Sequence, residues 1–263
     1  MSSFQRLIRF EANDGSIVFG DVTGPALVPD LEGTPVAVLE GNLETGFSRT
    51  RRTATVKRLS IPKYPVIFAK PPDALAGHGE VIPVHPDAQA RLDYEGELAV
   101  IIGRSRKDIV PEEALEYVLG YSSSNDISAK NFQVPADISG GQYCFAKSFD
   151  KFAPLGPCIV SPELIPDPQV LFLTTKVNGA LGQQTSTVDM IWSVKQIISF
   201  ASKGTTLRKG TVILTGTPSG VGLFMNPPGF LKSGDLVEVE IEKLGILSNR
   251  ILFSYILQKF IPT

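Results

Sequence analysis

Hydrophobic and polar residues alternate along much of this chain, which is the period of a β-strand. The segment FQRLIRFEA reads as a strand, NDGS as a turn and IVFGDV as the return strand. VAVLEGN is a further short strand, whereas the rest of residues 24–60 is less regular. From IPKYPVIFAKPP onward strand and turn signals become denser. The pattern predicts a small N-terminal β subdomain with a lid segment over residues 1–60 and a main domain over 61–263.

Two segments carry helical signals. PEEALEYVLG has Pro111 in its first turn, acids behind it and Gly120 at its end. MIWSVKQIISFASKG has apolar residues at helical spacing and Gly204 as a stop. TVILTG and LVEVEIEKLG read as strands, the second with alternating Val and Glu. The chain is therefore predicted to be α+β and β-rich, with mixed or antiparallel sheets.

Composition excludes several classes of function. Of 263 residues, 43% are hydrophobic and 20% charged, and the net charge of −2 gives no electrostatic basis for binding nucleic acid. We interpret the basic cluster as a solvated loop; it comprises Arg49, Arg51, Arg52, Lys57 and Arg58. No apolar stretch is long enough for a signal peptide or a membrane span. Two cysteines are too few for a disulfide framework, so we expect a cytoplasmic protein with no membrane partner.

The most informative feature is a pair of acids in the apolar segment LDYEGELAVIIG. Glu95 and Glu97 are two apart on a strand and so point to one face, roughly 6–7 Å apart. Like charges beside a buried run repel each other and lose hydration. A cation between them would relieve both costs.

A third acid can join this pair. Asp126 lies in GYSSSNDISAKNFQ, on the return strand after the first predicted helix. Three carboxylates with no His or Cys nearby favour a hard cation, Mg²⁺ first and Mn²⁺ or Ca²⁺ next. The alternative is a solvated strand face followed by an Asx turn at Asn125 and Asp126.

Five ordered motifs then resemble the fumarylacetoacetate hydrolase family. They are YEGELAVIIG, GYSSSNDISAKNFQ, AKSFDKFAPLGPCIV, VNGALGQ and ILTGTPSGVG, with IPKYPVIFAKPPDAL upstream. The resemblance covers about residues 61–250. It implies a mixed β-sandwich or β-roll, usually a homodimer, that holds Mg²⁺ through Glu95, Glu97 and Asp126. It also implies enzymes that cleave, decarboxylate or tautomerise β-dicarbonyl and 2-oxo acids, so a small keto acid is the expected partner.

The resemblance assigns further residues to the site. Lys147 of AKSFD is expected next to the metal, where it binds substrate or a metal-bound water. Lys130 stands where the family usually has Arg, and Gln133 matches the family's Gln. Thr217 of TGTPSGVG is expected to contact a substrate carboxylate or carbonyl. Lys130 keeps the charge of Arg but lacks its bidentate guanidinium group. We therefore expect it to bind a carboxylate with a different hydrogen-bond geometry.

The family's lid pattern breaks in one place. Hydrolases and lyases of the family carry a lid His with a nearby Glu that activates water. Aligning Asn42 of VLEGNLETGFSRTRR puts Leu43 at the family's Tyr and Gly46 at its His. His78, Glu44 or Glu80 is then a candidate replacement base, with His78 the first choice.

Two further explanations of the missing lid histidine remain open. Decarboxylation or keto–enol isomerisation needs no activated water, and Lys147 could carry the proton. Alternatively the chain binds a small molecule without catalysis. C–C hydrolysis or decarboxylation by a metal-dependent enzyme is the primary hypothesis, and tautomerisation is the alternative.

Overall fold

The computed structural model describes residue 4 and residues 7–23, 31–42, 46–59 and 63–255. Its first four strands close into a small antiparallel barrel in which each strand pairs with the next and the last returns to the first. They are β1 Leu7–Ala12, β2 Ile17–Asp21, β3 Pro35–Asn42 and β4 Gly46–Leu59. Phe10, Val36 and Val56 are buried in the barrel's own core. The three strands predicted here are confirmed.

The basic segment forms β4, so its interpretation as a loop is wrong. Its cationic side chains are solvated but meet acids on neighbouring strands: Arg52 pairs with Glu40 of β3, and Lys57 with Glu11 of β1. Arginine and lysine are weak strand signals in sequence. Here cross-strand ion pairs let them occupy the outer face of a strand.

Two five-stranded sheets form the rest of the molecule. The strands are β5 Leu75–Ala76, β6 Val81–Val84, β7 Leu92–Asp93, β8 Gly96–Ile102, β9 Arg106–Lys107, β10 Val118–Asn125, β11 Ser128–Ala129, β12 Ala153–Val160, β13 Phe172–Val177, β14 Ala180–Ser186, β15 Thr206–Leu207, β16 Val212–Leu214, β17 Leu236–Ile241 and β18 Gly245–Phe253. The first sheet has the order β16-β8-β10-β12-β5 and the second the order β14-β13-β17-β18-β6. Pairing is antiparallel except for β12 with β5 and β18 with β6, so both sheets are mixed, as predicted. β7 pairs with β11, and β9 with β15.

The main core lies between these two sheets. Leu98 and Val100 of β8 pack in one buried cluster with Val239 and Ile241 of β17 and with Ile198 of a covering helix. The alternation predicted for LVEVEIEKLG is confirmed, because β17 buries its valines and Ile241 while Glu240 faces solvent. The predicted β-rich α+β fold is therefore confirmed. The domain boundary near residue 60 stays a prediction.

One predicted helix is confirmed and the other is wrong. α4, Val194–Ala201, begins at a Ser193 capping box. PEEALEYVLG forms only a 3₁₀ turn over Pro111–Tyr117, and Gly120 lies inside β10. There a Cβ would lie 2.6 Å from the Val160 carbonyl oxygen, so this glycine permits close strand packing and does not end a helix.

Three more helices of one turn each were not predicted: α1 Lys130–Gln133, α2 Ala136–Ser139 and α3 Cys144–Lys147. α1 and α3 carry three of the expected site residues. Within the described ranges, no helix is long and apolar enough to cross a membrane.

Candidate metal centre and substrate cavity

Antiparallel pairing of β8 with β10 brings the three acids together. Ser124 lies opposite Glu97, and the Asp126 N–H, just beyond β10, donates to the Glu95 carbonyl at 2.7 Å. One carboxylate oxygen from each of Glu95, Glu97 and Asp126 lies within 4.8 Å of the other two, and all three residues are buried. The convergence expected from the strand–return-strand connection is thus present.

Buried lysines surround this triad. Lys147 Nζ donates to Glu95 Oε2 at 2.8 Å, to Asp126 Oδ2 at 2.6 Å and to Ser128 Oγ at 2.7 Å. Lys130 Nζ contacts the other oxygen of Glu95 and lies 3.0 Å from Gln133 Oε1. One-turn helices place these groups: Lys130 and Gln133 are the first and last residues of α1, and Lys147 is the last of α3.

The electrostatic environment of the two glutamates differs. Burial alone would raise the pKa of Glu95, but the Lys130 and Lys147 ammonium groups lower it to about 2. Burial, together with the charges of Asp126 and Glu95, raises the pKa of Glu97 well above its ordinary value. Burial would lower the pKa of Lys147, but the surrounding carboxylates raise it.

Glu97 provides the test of whether a cation fits. No ammonium or guanidinium group of the described residues lies within 4.0 Å of Glu97, whose Oε2 accepts only the Gly216 N–H at 2.7 Å. A buried carboxylate that no cation contacts, beside two further carboxylates, is costly. Three hard oxygen donors at this spacing suit a divalent cation. The triad therefore fits such an ion, whose identity the donor set leaves open.

The glycine-rich turn after β16 closes one side of the site. The Thr217 hydroxyl donates to the Gly96 carbonyl at 3.1 Å and accepts from Gln183 Nε2 at 2.7 Å. Gly220, at φ +102°, lies so close to β14 that a Cβ would be 2.2 Å from the Gly182 carbonyl oxygen. Because its hydroxyl already has two partners, Thr217 fixes this turn; its contact with substrate stays a prediction.

A cavity of about 350 Å³ opens beside the triad. Its polar end is formed by Glu95, Lys130, Gln133 and Thr217, so three of the predicted substrate-binding residues meet there. Lys147 is not part of its lining and is only 1% exposed. Lys147 therefore compensates charge behind Glu95, and its predicted contact with substrate lacks support from this placement.

The candidate bases lie elsewhere. His78 is exposed in the β5–β6 connection, where its Nδ1 accepts the Ser248 N–H at 3.1 Å. Glu80 is exposed and pairs with Lys151 at 2.7 Å. Neither contributes to the cavity lining, and Glu44 lies outside the described residues. The role of His78 as a base stays a prediction without geometric support.

Sequence reasoning missed residues that hold the site in place. Lys70 contacts Asp126 Oδ1 and the Ile127 carbonyl, although burial lowers its pKa. Gln183, fully buried in β14, accepts the Gly96 N–H at 2.9 Å. Lys70 carried a signal, because it lies in the segment IPKYPVIFAKPPDAL that resembles the family. Gln183 is the last residue of the motif VNGALGQ, but the sequence assigned it no role, since only the tertiary fold buries it.

Asp93 is a third residue that was missed. Its carboxylate accepts the N–H groups of Gly222 and Leu223, both at 2.8 Å. Burial raises its pKa to about 6. These bonds tie β7 to the loop that supplies Leu223 and Phe224 to the cavity wall.

Comparison with known proteins agrees with this geometry. The chain is 44% identical over 191 residues to oxaloacetate tautomerase YisK of Bacillus subtilis, covering 73% of this chain and 62% of that relative. It is 41% identical over 196 residues to the mitochondrial oxaloacetate tautomerase fahd2 of Xenopus laevis, covering 74% and 60%. The match therefore spans about three fifths of the length of these curated relatives.

Solved structures cover almost the whole chain. A fumarylacetoacetate hydrolase from Exiguobacterium antarcticum matches 95% of this chain and 99% of its own at 32% identity, with a TM-score of 0.68. A 2-hydroxyhepta-2,4-diene-1,7-dioate isomerase from Mycobacterium marinum matches 95% and 98% at 33% identity, with a TM-score of 0.65. The model of the C-terminal domain of fumarylacetoacetate hydrolase matches residues 42–252. The chain therefore belongs to the fumarylacetoacetate hydrolase family.

Proposed function

We propose that this protein is a divalent-metal-dependent tautomerase that interconverts the enol and keto forms of a 2-oxo acid with a carbonyl group two carbons away. The observation that carries the proposal is the buried triad, in which Glu97 has no contacting ammonium group and Glu95 lines a cavity together with Lys130 and Gln133. Relatives named oxaloacetate tautomerase and a structural neighbour named as an isomerase support the reaction class.

Each residue of the site has a task in this proposal. Glu95, Glu97 and Asp126 would hold the metal, which would act as a Lewis acid and stabilise the enolate. Lys130 and Gln133 face the cavity and orient the substrate's carboxylate. Lys147 offsets negative charge from behind Glu95, because it contacts two of the acids but does not line the cavity.

Tautomerisation also explains why the chain can lack the family's lid histidine. A hydrolase must deprotonate water, but the position expected for the family's histidine is Gly46, which has no side chain. Tautomerisation moves one proton from the enol oxygen to carbon and consumes no water. Of the primary hypothesis from sequence, C–C hydrolysis is therefore less favoured. Decarboxylation needs no activated water either, and only the relatives named as tautomerases favour tautomerisation over it.

The decisive experiment uses oxaloacetate as a probe. Enol oxaloacetate is added to the Mg²⁺-loaded protein, and loss of enol absorbance is compared with the uncatalysed rate. The proposal expects acceleration that EDTA and Glu97→Gln abolish, deuterium uptake at C3 in D₂O, and no release of CO₂. Catalysed CO₂ release, or ¹⁸O from water in a new carboxylate, would favour the lyase or hydrolase. Binding of oxaloacetate without turnover would favour the non-catalytic alternative.

Three finer features belong to the same proposal. Mg²⁺ is the expected physiological ion among the hard cations, a homodimer is the expected assembly, and the cytoplasm is the expected compartment. Titration with Mg²⁺, Mn²⁺ and Ca²⁺ tests the first. Light scattering coupled to size exclusion tests the second: a mass of twice 28.4 kDa supports it, and a monomer rejects it.

A further inference from the structure

Three lysines among the described residues contact two acids of the triad. Lys147 donates to Glu95 Oε2 and to Asp126 Oδ2. Lys130 contacts the remaining oxygen of Glu95. Lys70 contacts the remaining oxygen of Asp126. Every carboxylate oxygen of these two acids therefore has an ammonium group beside it, and like charges repel a cation that binds there.

The three lysines differ in their freedom to leave the acids. Lys147 also donates to Ser128 Oγ at 2.7 Å, and Lys70 donates to the Ile127 carbonyl at 3.3 Å. Neither of these two lysines lines the cavity, whereas Lys130 does. The Lys130 ammonium group can therefore leave its acid by side-chain rotation into open space, without entering the packed interior.

A second acceptor for Lys130 lies on the cavity side. Lys130 Nζ is 3.0 Å from Gln133 Oε1, and the two residues are the first and last of α1, one helical turn apart. Both line the cavity together with Glu95. Gln133 is neutral, so it adds no charge to the triad, and its amide oxygen can hold the ammonium group once Glu95 has released it.

We infer that Lys130 is an exchangeable counter-ion of Glu95, which couples metal binding to substrate binding. In the metal-free protein its ammonium group neutralises Glu95. When Glu95 ligates a divalent ion, the Lys130 ammonium group moves onto Gln133 and into the cavity, where it is free to bind the substrate's carboxylate. This inference rests on the proposed function for the metal and the carboxylate, and it adds the order in which Lys130 serves them.

Acetylation of lysines by acetic anhydride, read by peptide mass spectrometry, follows this movement. The protein is labelled at low extent in EDTA, in saturating Mg²⁺, and in Mg²⁺ with 2-oxobutanoate. Lys130 should react at least ~10-fold faster in Mg²⁺ than in EDTA, because it loses a charged hydrogen-bond partner, and 2-oxobutanoate should restore its protection.

Two other lysines are internal controls for the labelling. Lys147, which is 1% exposed, should stay protected in all three conditions, and Lys151, whose side chain is 39% exposed, should react equally in all three. A metal that only made the protein more rigid would slow acetylation and could not accelerate it at one buried lysine. Equal acetylation of Lys130 in EDTA and in Mg²⁺ would overturn the inference.

A double-mutant cycle on metal affinity tests the role of Gln133. Gln133→Leu removes the acceptor of the released ammonium group and should weaken Mg²⁺ binding ~10-fold in calorimetric titration. In the Lys130→Met background the same substitution should leave Mg²⁺ affinity unchanged, because no ammonium group is released. Gln184→Leu, at an exposed position of β14, is the matched control and should have no effect. Equal weakening by Gln133→Leu in both backgrounds would contradict the exchange.

Both experiments are independent of turnover, which separates this inference from the proposed function. Mg²⁺ binding that leaves Lys130 protected would reject the exchange, while turnover of enol oxaloacetate would still support the tautomerase. Release of Lys130 by Mg²⁺ in a protein that tautomerises no oxo acid would support the exchange and reject only the proposed reaction.

Discussion

The outer face of the barrel and the acid triad both bring lysine or arginine together with acids, but at different depths. In the barrel, Arg52 and Glu40 are both well exposed. In the triad, Lys147 and Glu95 are almost completely buried. Exposed pairs are hydrated and contribute little to stability, whereas buried charges depend on their partners.

This difference separates charges that keep a strand in solution from charges arranged for chemistry. Each acid of the barrel that pairs with β4 has a cation opposite it. The triad instead leaves Glu97 without one, although Lys70, Lys130 and Lys147 all contact its neighbours. Glu97 is thus the one acid of the triad that no described cation contacts, which indicates a place for a positive charge beside it.

Glu97→Gln should abolish turnover and metal binding. It removes one ligand charge at nearly constant shape, so loss of activity should exceed ~100-fold, more than is typical for residues that only support a ligand. In EDTA the same variant should be more stable than wild type, because a repelled buried charge is gone. Calorimetric metal titration and thermal melts measure both effects. Glu240→Gln, at an exposed position of β17, is the control. Retained metal affinity in Glu97→Gln would contradict the assignment.

Lys147→Met should destabilise the metal-free protein by about 3–5 kcal/mol. It leaves Glu95 and Asp126 buried without their shared ammonium group. Urea unfolding in EDTA measures the loss. The control is Lys151→Met, which breaks the exposed pair with Glu80 and should leave the unfolding free energy unchanged within error. Similar losses of unfolding free energy in the two variants would show that the buried ion pairs stabilise the protein no more than the exposed one.

Gln183→Leu should lower the unfolding free energy by about 1–3 kcal/mol and metal affinity ~10-fold. The leucine leaves the Gly96 N–H without an acceptor beside Glu95 and Glu97. Urea unfolding and metal titration are the measurements. The exposed neighbour Gln184→Leu should change stability little. If Gln183→Leu changes neither the unfolding free energy nor the metal affinity, Gln183 does not support the site.

Arg52→Ala should have the smallest effect. Both members of its ion pair with Glu40 are well exposed, so solvent already screens the interaction. Melting temperature, metal affinity and turnover should all equal wild type within error. A clear loss of metal affinity would show that the barrel surface and the triad are coupled.

Much of this architecture could be predicted because local pattern and final environment agree. LVEVEIEKLG alternates and forms β17 with one face buried, and Ser193 caps α4 as a serine before an apolar run should. Local pattern failed where tertiary context decides. PEEALEYVLG has the sequence pattern of a helix, but its last three residues, from Val118 on, belong to strand β10.

The site was predicted to a similar extent. Strand period predicted Glu95 and Glu97 as a pair on one strand, but only Glu97 lies in β8, and Glu95 directly precedes that strand. The family resemblance added Lys130, Gln133 and Lys147, which the structure brings to the triad or its cavity. The supporting residues could not be inferred. Gln183 is 87 positions from Gly96, and no local signal reports a contact formed only when β14 closes over β8.

The most direct test of the central claim is a crystal structure of the protein soaked in Mn²⁺, measured with anomalous scattering. If the triad binds a divalent ion, the map shows one strong anomalous peak bounded by oxygens of Glu95, Glu97 and Asp126, at about 2.1–2.3 Å, as expected for a hard cation. A map without a peak there, with Lys130 and Lys147 still bound to the carboxylates at saturating Mn²⁺, would contradict it.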